Sequence, residues 1–546
     1  MSRDLSTLRV DVPRKYNAAQ HFVDRHLELG HGERIAFVDN AGQHTYADFV
    51  RRVGRTGAAL AALGVNREQR VLVCMLDTLE FAAVFWGAIR IGAIPVPVNT
   101  LLTGSDYDYM LRDSRAVALV VSDVLYDRFT GCIEDPPFLK QVVGSGSHPS
   151  GGLELDTLIG SEEVALPVAE TCCDDAAFWL YTSGSTGTPK GVIHHQSDLI
   201  QTASLYGDQV LGIRPNDRVF SAAKLFFAYG LGNAMTFPLH VGACAALLAE
   251  RPTPEAVLTV LKSQESSIFF GVPTLFNAIL ANPDNDRSRV SDALRLCVSA
   301  GEALPSEVGE EWERRFGVPV LDGLGSTEML HIFLSNRSGD IRYGTSGRAV
   351  PGYRLRIVDE DNQEVSTGAM GELLVSGPSG ASSYWNQRDK TAHTFEGGWI
   401  RSGDKYVVDE DGYYHYFGRT DDMLKVGGIW VSPFEVESAL LAESRVLEVA
   451  VVAQEDEAGL IKPKAYVVLK DDIAVTVELE TELQAFVKTR LAPFKYPRWI
   501  EFVEDLPKTA TGKIRRFKLR EAAPAESGMT SLVTAGHALL SVHLFL

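Results

Sequence analysis

Two patterns of apolar and polar positions alternate along the chain. Short apolar runs bounded by turn residues, such as Arg70-Val71-Leu72-Val73-Cys74-Met75-Leu76, suit strands buried on both faces. Between them, apolar residues recur at helical spacing. Tyr46 to Leu63 is one such stretch, stopped by Gly64, and Phe81 to Ile91 is another. Ile35-Ala36-Phe37-Val38, the polar Asn40-Ala41-Gly42 and His44-Thr45-Tyr46 predict a hairpin. Ile94-Pro95-Val96-Pro97-Val98 and Val117 to Val121 add strands, so the first part of the chain reads as a doubly wound βαβ layer. Residues 144 to 153, rich in Gly, Ser and Pro, predict a surface loop.

Further strands are predicted at Val219-Phe220-Ser221, Ala245 to Leu248, Ile268 to Val272 and Leu296 to Ser299. Leu355 to Val358 and Gly371 to Val375, separated by Gly/Asp turns, predict a β-rich subdomain before residue 420. From Gly418 the texture changes. Helices at Val436 to Leu441 and Leu483 to Leu491, with strands at Val446 to Val452, Lys464 to Leu469 and Trp499 to Val503, predict a small α+β unit. The expected architecture is α/β. It has a large N-terminal domain of doubly wound mixed sheets plus the β-rich subdomain over residues 1–420, and a small α+β C-terminal domain over 421–522. A loosely held tail is expected over 523–546.

A chain of 546 residues is too long for one core, which agrees with this division. The net charge of −19 comes without a basic stripe, so neither nucleic acid nor an anionic membrane surface is an expected partner. Met1 to Tyr16 carries charges throughout and has no apolar leader core, and no apolar run approaches about 20 residues. A cytoplasmic location is expected. The six cysteines form no C-x-x-C pair or metal spacing, so reduced, mostly buried thiols are expected.

One stretch concentrates chemistry: Tyr181-Thr182-Ser183-Gly184-Ser185-Thr186-Gly187-Thr188-Pro189-Lys190-Gly191. Three glycines let backbone N–H groups approach an anion, while five Ser and Thr hydroxyls and Lys190 add donors and charge. Apolar β-type residues flank it, Phe178-Trp179-Leu180 before and Val192-Ile193-His194 after, so it reads as a phosphate cradle between two strands. It is not a Walker A loop, because Pro189 stands where the second glycine belongs and Gly191 where the Mg²⁺-binding hydroxyl belongs. Helix is expected only from Ser197 as N-cap.

This wording resembles the phosphate loop of the acyl-adenylate-forming superfamily, which includes acyl-CoA synthetases, adenylation domains of peptide synthetases and firefly luciferase. Later motifs match in the family's order. Ser299-Ala300-Gly301-Glu302-Ala303-Leu304 resembles the adenine-side loop. Asp322-Gly323-Leu324-Gly325-Ser326-Thr327-Glu328 resembles the loop usually written with an aromatic followed by Gly-x-Thr-Glu. Here Leu324 replaces the aromatic, and Glu328 is a hard oxygen ligand suited to Mg²⁺ on ATP phosphates. Trp399-Ile400-Arg401-Ser402-Gly403-Asp404 resembles the ribose segment, since a carboxylate accepts from a vicinal diol.

The resemblance implies ATP, Mg²⁺ and coenzyme A as co-substrates or cofactor. It implies nucleotide contacts from Thr182, Ser183, Gly184, Ser185, Thr186, Gly187, Lys190, Ala300, Gly301, Glu302, Asp322, Asp404 and Arg419. Thr327 and Glu328 are implied as catalytic, with Glu328 also the metal ligand. Lys513, in Pro507-Lys508-Thr509-Ala510-Thr511-Gly512-Lys513, is implied as the catalytic lysine on acyl carboxylate and α-phosphate. Gly427 and Gly428 match the pantetheine tunnel, and Asp421 the hinge of a mobile C-terminal domain.

The segment Lys224-Leu225-Phe226-Phe227-Ala228-Tyr229-Gly230-Leu231-Gly232 offers flat walls at Phe227 and Tyr229 with ring-sized room at Ala228. Its wording, with Ser326-Thr327-Glu328-Met329-Leu330-His331-Ile332-Phe333-Leu334-Ser335, resembles benzoate–CoA ligases. That likeness implies an aryl site at Phe227, Ala228, Tyr229, Gly325 and His331. The implied activity is AMP-forming ligation of a small aromatic acid to coenzyme A. A hydroxy- or aminobenzoate ligase, or an aryl-adenylating enzyme that loads a carrier protein, remains open at this point, as does a homodimer.

Overall fold

A computed structural model describes residues 8–146, 152–160, 166–182, 188–426, 429–456, 459–470, 473–508 and 514–521. The expected α/β architecture is present. Among the described residues, the largest sheet has nine strands. From edge to edge they are Arg348–Ala349, Ile332–Ser335, Val320–Gly325, Leu296–Ala300, Ile268–Gly271, Arg218–Ser221, Cys244–Ala246, Ile35–Asp39 and Gly42–Thr45. Its interior pairs are parallel and its outer pairs antiparallel. A second, all-parallel sheet runs Ile94–Pro97, Arg70–Cys74, Ala118–Ser122, Gln141–Ser145, Leu153–Glu154.

Local chemistry sets these elements. The helix Tyr46–Ala62 starts at a capping box in which Thr45 and Asp48 exchange side-chain and backbone hydrogen bonds, both at 3.1 Å. It buries Phe49, Val53 and Leu60 against the sheet. The strand Ile94–Pro97 tolerates two prolines because it is the edge of its sheet.

An antiparallel sheet of Arg354–Val358, Gly371–Ser376, Trp399–Val408, Phe395–Glu396 and Tyr414–Arg419 forms the β-rich part before residue 420. Beyond it, Val446–Glu455, Ile461–Leu469 and Trp499–Phe502 form a small sheet, covered by helices Pro433–Leu441 and Val477–Arg490 around their own apolar cluster. This unit meets the rest of the chain through Ile514 N–H on Glu302 Oε1 (3.2 Å), Asn277 on the Leu447 carbonyl, and Arg490 3.9 Å from Glu307.

One expectation needs correction. The stretch 144–153 is not simply a loop: strands Gln141–Ser145 and Leu153–Glu154 enter its two ends, and 147–151 lie outside the described residues. The segment at 224–232 opens one helical run, Ala228–Leu231, the π-helical Gly232–Thr236 and Phe237–Val241. Four cysteines, Cys74, Cys132, Cys244 and Cys297, are buried, while Cys172 and Cys173 are half-buried, and all six are free thiols. Among the described residues no helix is long and apolar enough to cross a membrane. The tail from 523 lies outside the described residues.

Candidate active site

The flanks of the expected phosphate cradle are strands, as predicted. Ala176–Thr182 pairs antiparallel with Lys190–His195, and Thr182 stands opposite Lys190 at the mouth of the loop. Ser183, Gly184, Ser185, Thr186 and Gly187 lie outside the described residues. Side chains from the helix Gly104–Ser114 pin the hairpin: Tyr181 Oη donates to Asp113 (2.7 Å), and Tyr109 Oη to the Pro189 carbonyl (3.1 Å). A third strand, Ser383–Tyr384, pairs with Lys190–His195 and sets Tyr384 opposite Val192.

That third strand carries a site residue that sequence reading missed. Tyr384 Oη donates to Glu328 Oε1 at 2.6 Å, and its ring lies 4.3 Å beneath Lys190 Nζ. Burial, then the Glu328 carboxylate, push the phenol above its usual range, so it remains a donor. Burial pulls the Lys190 ammonium down; Glu328 opposes this, while Lys390 and Arg419 add to it. The structure thus assembles Lys190, Glu328, Tyr384 and Arg419 around one space.

Glu328 and Thr327 occupy a tight turn between Val320–Gly325 and Ile332–Ser335. Leu330 N donates back to the Thr327 carbonyl at 3.0 Å, and Leu330 itself is held in the left-handed region at φ +67°. A Cβ at Gly325 would stand 2.7 Å from the His331 carbonyl oxygen and 2.9 Å from Ile332 N, so only glycine fits.

Of the residues expected at the aryl site, Tyr229 and His331 are brought together. Phe227, Ala228 and Tyr229 are half-buried at the start of the helical run. Tyr229 Oη is spent on the carbonyls of Val298 (3.1 Å) and Gly271 (3.3 Å), so it offers its ring rather than its hydroxyl. His331 is buried, and its Nε2 donates to the Tyr229 carbonyl (3.2 Å) and Asn233 Oδ1 (3.1 Å). Burial pulls its pKa down to about 3, so the ring is neutral, and Nδ1 has no partner. The rings of Phe237, Tyr206 and Tyr229 enclose it at 4.5, 5.5 and 5.5 Å. Asn233 follows Gly232 in the wording that resembles benzoate–CoA ligases, but sequence alone assigns it no role.

On the nucleotide side, Ala300 ends a central strand, with exposed Gly301 and half-buried Glu302 following. Asp322 is buried with Oδ1 unpartnered, and burial raises its carboxyl to about 8. Asp404 and Arg419 face each other across a register pair, with Arg419 Nη1 donating to Asp404 Oδ1 at 3.1 Å and to the Ser402 carbonyl at 2.9 Å. Asp404 first among its neighbours holds the guanidinium above its ordinary range. Asp421 is exposed in the short 3₁₀ turn Thr420–Asp422. Gly427, Gly428 and Lys513 lie outside the described residues.

This ordered set of loops defines a nucleotide-dependent, adenylate-forming site, and the comparisons agree. The AMP-binding enzyme model matches residues 25–385 and the AMP-binding enzyme C-terminal domain matches 435–513, so the chain belongs to the AMP-binding enzyme family. It is 56% identical over 515 residues to a benzoate–CoA ligase of Thauera aromatica, covering 94% of this chain and 97% of that one. A crystallised benzoate CoA ligase from Burkholderia xenovorans LB400 is 49% identical, with TM-score 0.87 over 92% of this chain and 100% of that one. An anthranilate CoA ligase in complex with anthranoyl-AMP is 41% identical, with TM-score 0.90 over 94% and 98%.

Proposed function

We propose that the protein joins benzoate, or a benzoate with a small ring substituent, to coenzyme A with cleavage of ATP to AMP and pyrophosphate. An acid carboxylate oxygen attacks the α-phosphorus, the bond to the β-phosphate oxygen breaks, and pyrophosphate leaves. The coenzyme A thiol, losing its proton, then attacks the acyl carbon of the adenylate, and AMP leaves. What supports the choice of acid is the pairing of Tyr229 with buried, neutral His331 beside half-buried Phe227 and Ala228, with the Tyr229 hydroxyl already engaged by backbone carbonyls.

Lys190 and Arg419 bring positive charge to the phosphates against the −19 field of the whole chain. Among the described residues no group of three or more His, Cys, Asp or Glu could hold a metal ion by itself. A single carboxylate completed by phosphate oxygens is the usual way Mg²⁺ is held, and Glu328 with Tyr384 behind it fits that role. When bound, the metal neutralises charge on the phosphate oxygens. Tyr384 orients Glu328, Thr327 faces the α-phosphate, and Asp404 takes the ribose hydroxyls. The resemblance assigns Lys513 to the adenylation step, Gly427 and Gly428 to the pantetheine path, and Asp421 to a swing of the 421–522 unit between half-reactions.

The test is a screen of purified protein with ATP, Mg²⁺ and coenzyme A against benzoate, hydroxybenzoates, aminobenzoates and octanoate. Benzoate-sized acids should lead by kcat/KM. Preference for octanoate would sink the aryl reading, and turnover only with a phosphopantetheinyl carrier protein would sink the coenzyme A reading.

A further inference from the structure

His194, four residues past Lys190, has no part in the site as described above. It is fully buried on the strand Lys190–His195 with its ring stacked on Phe178 at 5.2 Å. Nδ1 lies 3.1 Å from Asp198 Oδ2, and Nε2 lies 2.7 Å from the backbone carbonyl of Thr327. Asp198, the first residue of the helix Asp198–Thr202, also accepts from His195 N–H at 2.9 Å. Both ring nitrogens thus face oxygen atoms, so the ring is held at each end. Burial would raise the Asp198 carboxyl, but hydrogen bonds from His194 and His195 outweigh it and hold the group below its usual range.

A satisfied core histidine is the ordinary fate of such a ring. What distinguishes this one is its target. The Thr327 carbonyl is the pivot of the turn that carries Thr327 and Glu328, since it also receives Leu330 N–H at 3.0 Å. That turn holds Leu330 in a left-handed conformation, which persists only where surrounding contacts over-determine it. The second contact on the pivot comes from the strand that begins with Lys190.

We propose that His194, oriented by Asp198, is a positioning residue for adenylation: it clamps the strained turn to the phosphate hairpin and so fixes Thr327 and Glu328 relative to Lys190. This rests on the reading of the site as an ATP-dependent acid activator. It predicts that the pair matters for the first half-reaction and not for the second.

The experiment uses the full chain with His194→Ala, His194→Gln and Asp198→Asn. Pyrophosphate exchange reads adenylation, and coenzyme A attack on supplied aryl adenylate reads thioester formation. The acid is whichever the unmodified protein activates best, so a wrong choice of benzoate appears in that protein and failure of this proposal appears in the variants. His194→Ala should slow exchange roughly 10- to 100-fold, the loss expected for a buried hydrogen bond with its partner left unsatisfied, and raise the Mg²⁺ concentration giving half-maximal rate. The KM for the acid and the coenzyme A step should stay within about threefold. His194→Gln, which keeps a donor at the Nε2 position, should recover most of the exchange rate. Exchange within about twofold of the unmodified protein in His194→Ala, or equal loss in both half-reactions, overturns the proposal. Should the alanine variant fold poorly, Asp198→Asn decides, because it keeps shape and an acceptor oxygen: a selective loss of exchange supports the clamp and no selective loss overturns it.

Discussion

The proposed aryl slot can be perturbed at one atom's cost by Gly232→Ala. Gly232 has φ −62° and ψ −56°, so alanine meets no backbone strain there and gains about 0.5–1 kcal/mol of helix preference. The clash is therefore purely steric. The new Cβ would stand 2.3 Å from Cδ2 and 2.7 Å from Nε2 of His331, and 3.0 Å from Cζ of Phe237. Ordinary contact needs about 3.5–4.0 Å, and Tyr206, Tyr229 and Phe237 leave the ring no retreat. Overpacking costs about 1–3 kcal/mol, and pulling Nε2 off Tyr229 and Asn233 about 0.5–1.5 more. Less the helix gain, roughly 1–4 kcal/mol should appear as a roughly 5- to 900-fold fall in kcat/KM for the aromatic acid. The assay is pyrophosphate exchange against acid concentration at saturating ATP, with a second series for ATP, whose KM should stay within about twofold. Adding His331→Ala should restore the melting temperature lost to the clash. An unchanged kcat/KM for the acid, or equal damage to acid and ATP, would refute the placement of His331 on the slot wall.

Tyr384→Phe removes the 2.6 Å bond to Glu328 and should raise the Mg²⁺·ATP requirement roughly 10- to 100-fold, as for a hydrogen bond to a charged group; an unaltered magnesium titration counts against it. Asp421→Pro should fix φ at the hinge, so that adenylation survives better than coenzyme A attack; equal loss in the two separately timed half-reactions removes the hinge assignment. His26 is buried, with Nε2 on the Leu239 carbonyl at 2.7 Å, and burial pulls its pKa down to about 4. The unfolded chain therefore takes up a proton below about pH 6.5 that the folded chain refuses, and stability present above that pH is lost as pH falls. His26→Gln should spare about 2 kcal/mol of that loss between about pH 7 and about pH 5 by denaturant titration, and an unchanged loss would exclude His26 as its source.

The site was legible wherever chemistry and chain sequence coincide. The flanks Thr182 and Lys190 are near in sequence and paired across two strands, and Gly325 is fixed by a backbone 2.7 Å away, so local wording carries both. Asp404 and Arg419 lie on adjacent strands joined by the short link after Val408, which keeps their pairing local. Tyr384 was not legible. It is one of 17 tyrosines, and only its strand register opposite Val192 brings it under Lys190. His194 and Asp198 read as strand end and helix start, while the partner that gives them meaning is Thr327, 133 residues from His194. The strand Gln141–Ser145 was missed because its Gly144 and Ser145 belong to the composition of a loop, yet parallel pairing with Ala118–Ser122 holds them extended.

The two prolines in Ile94–Pro97 have an effect beyond ending a sheet. The strand Ala176–Thr182 lies directly against this edge. Pro95 and Pro97 present no N–H there, so the neighbouring backbones cannot zip into a common ladder. The hairpin is insulated on that side by this gap in donors. Its opposite edge, Lys190–His195, pairs instead with Ser383–Tyr384, the strand that brings Tyr384 to Glu328. A donor-bearing residue at either proline would offer Ala176–Thr182 a ladder partner and draw the two sheets into one.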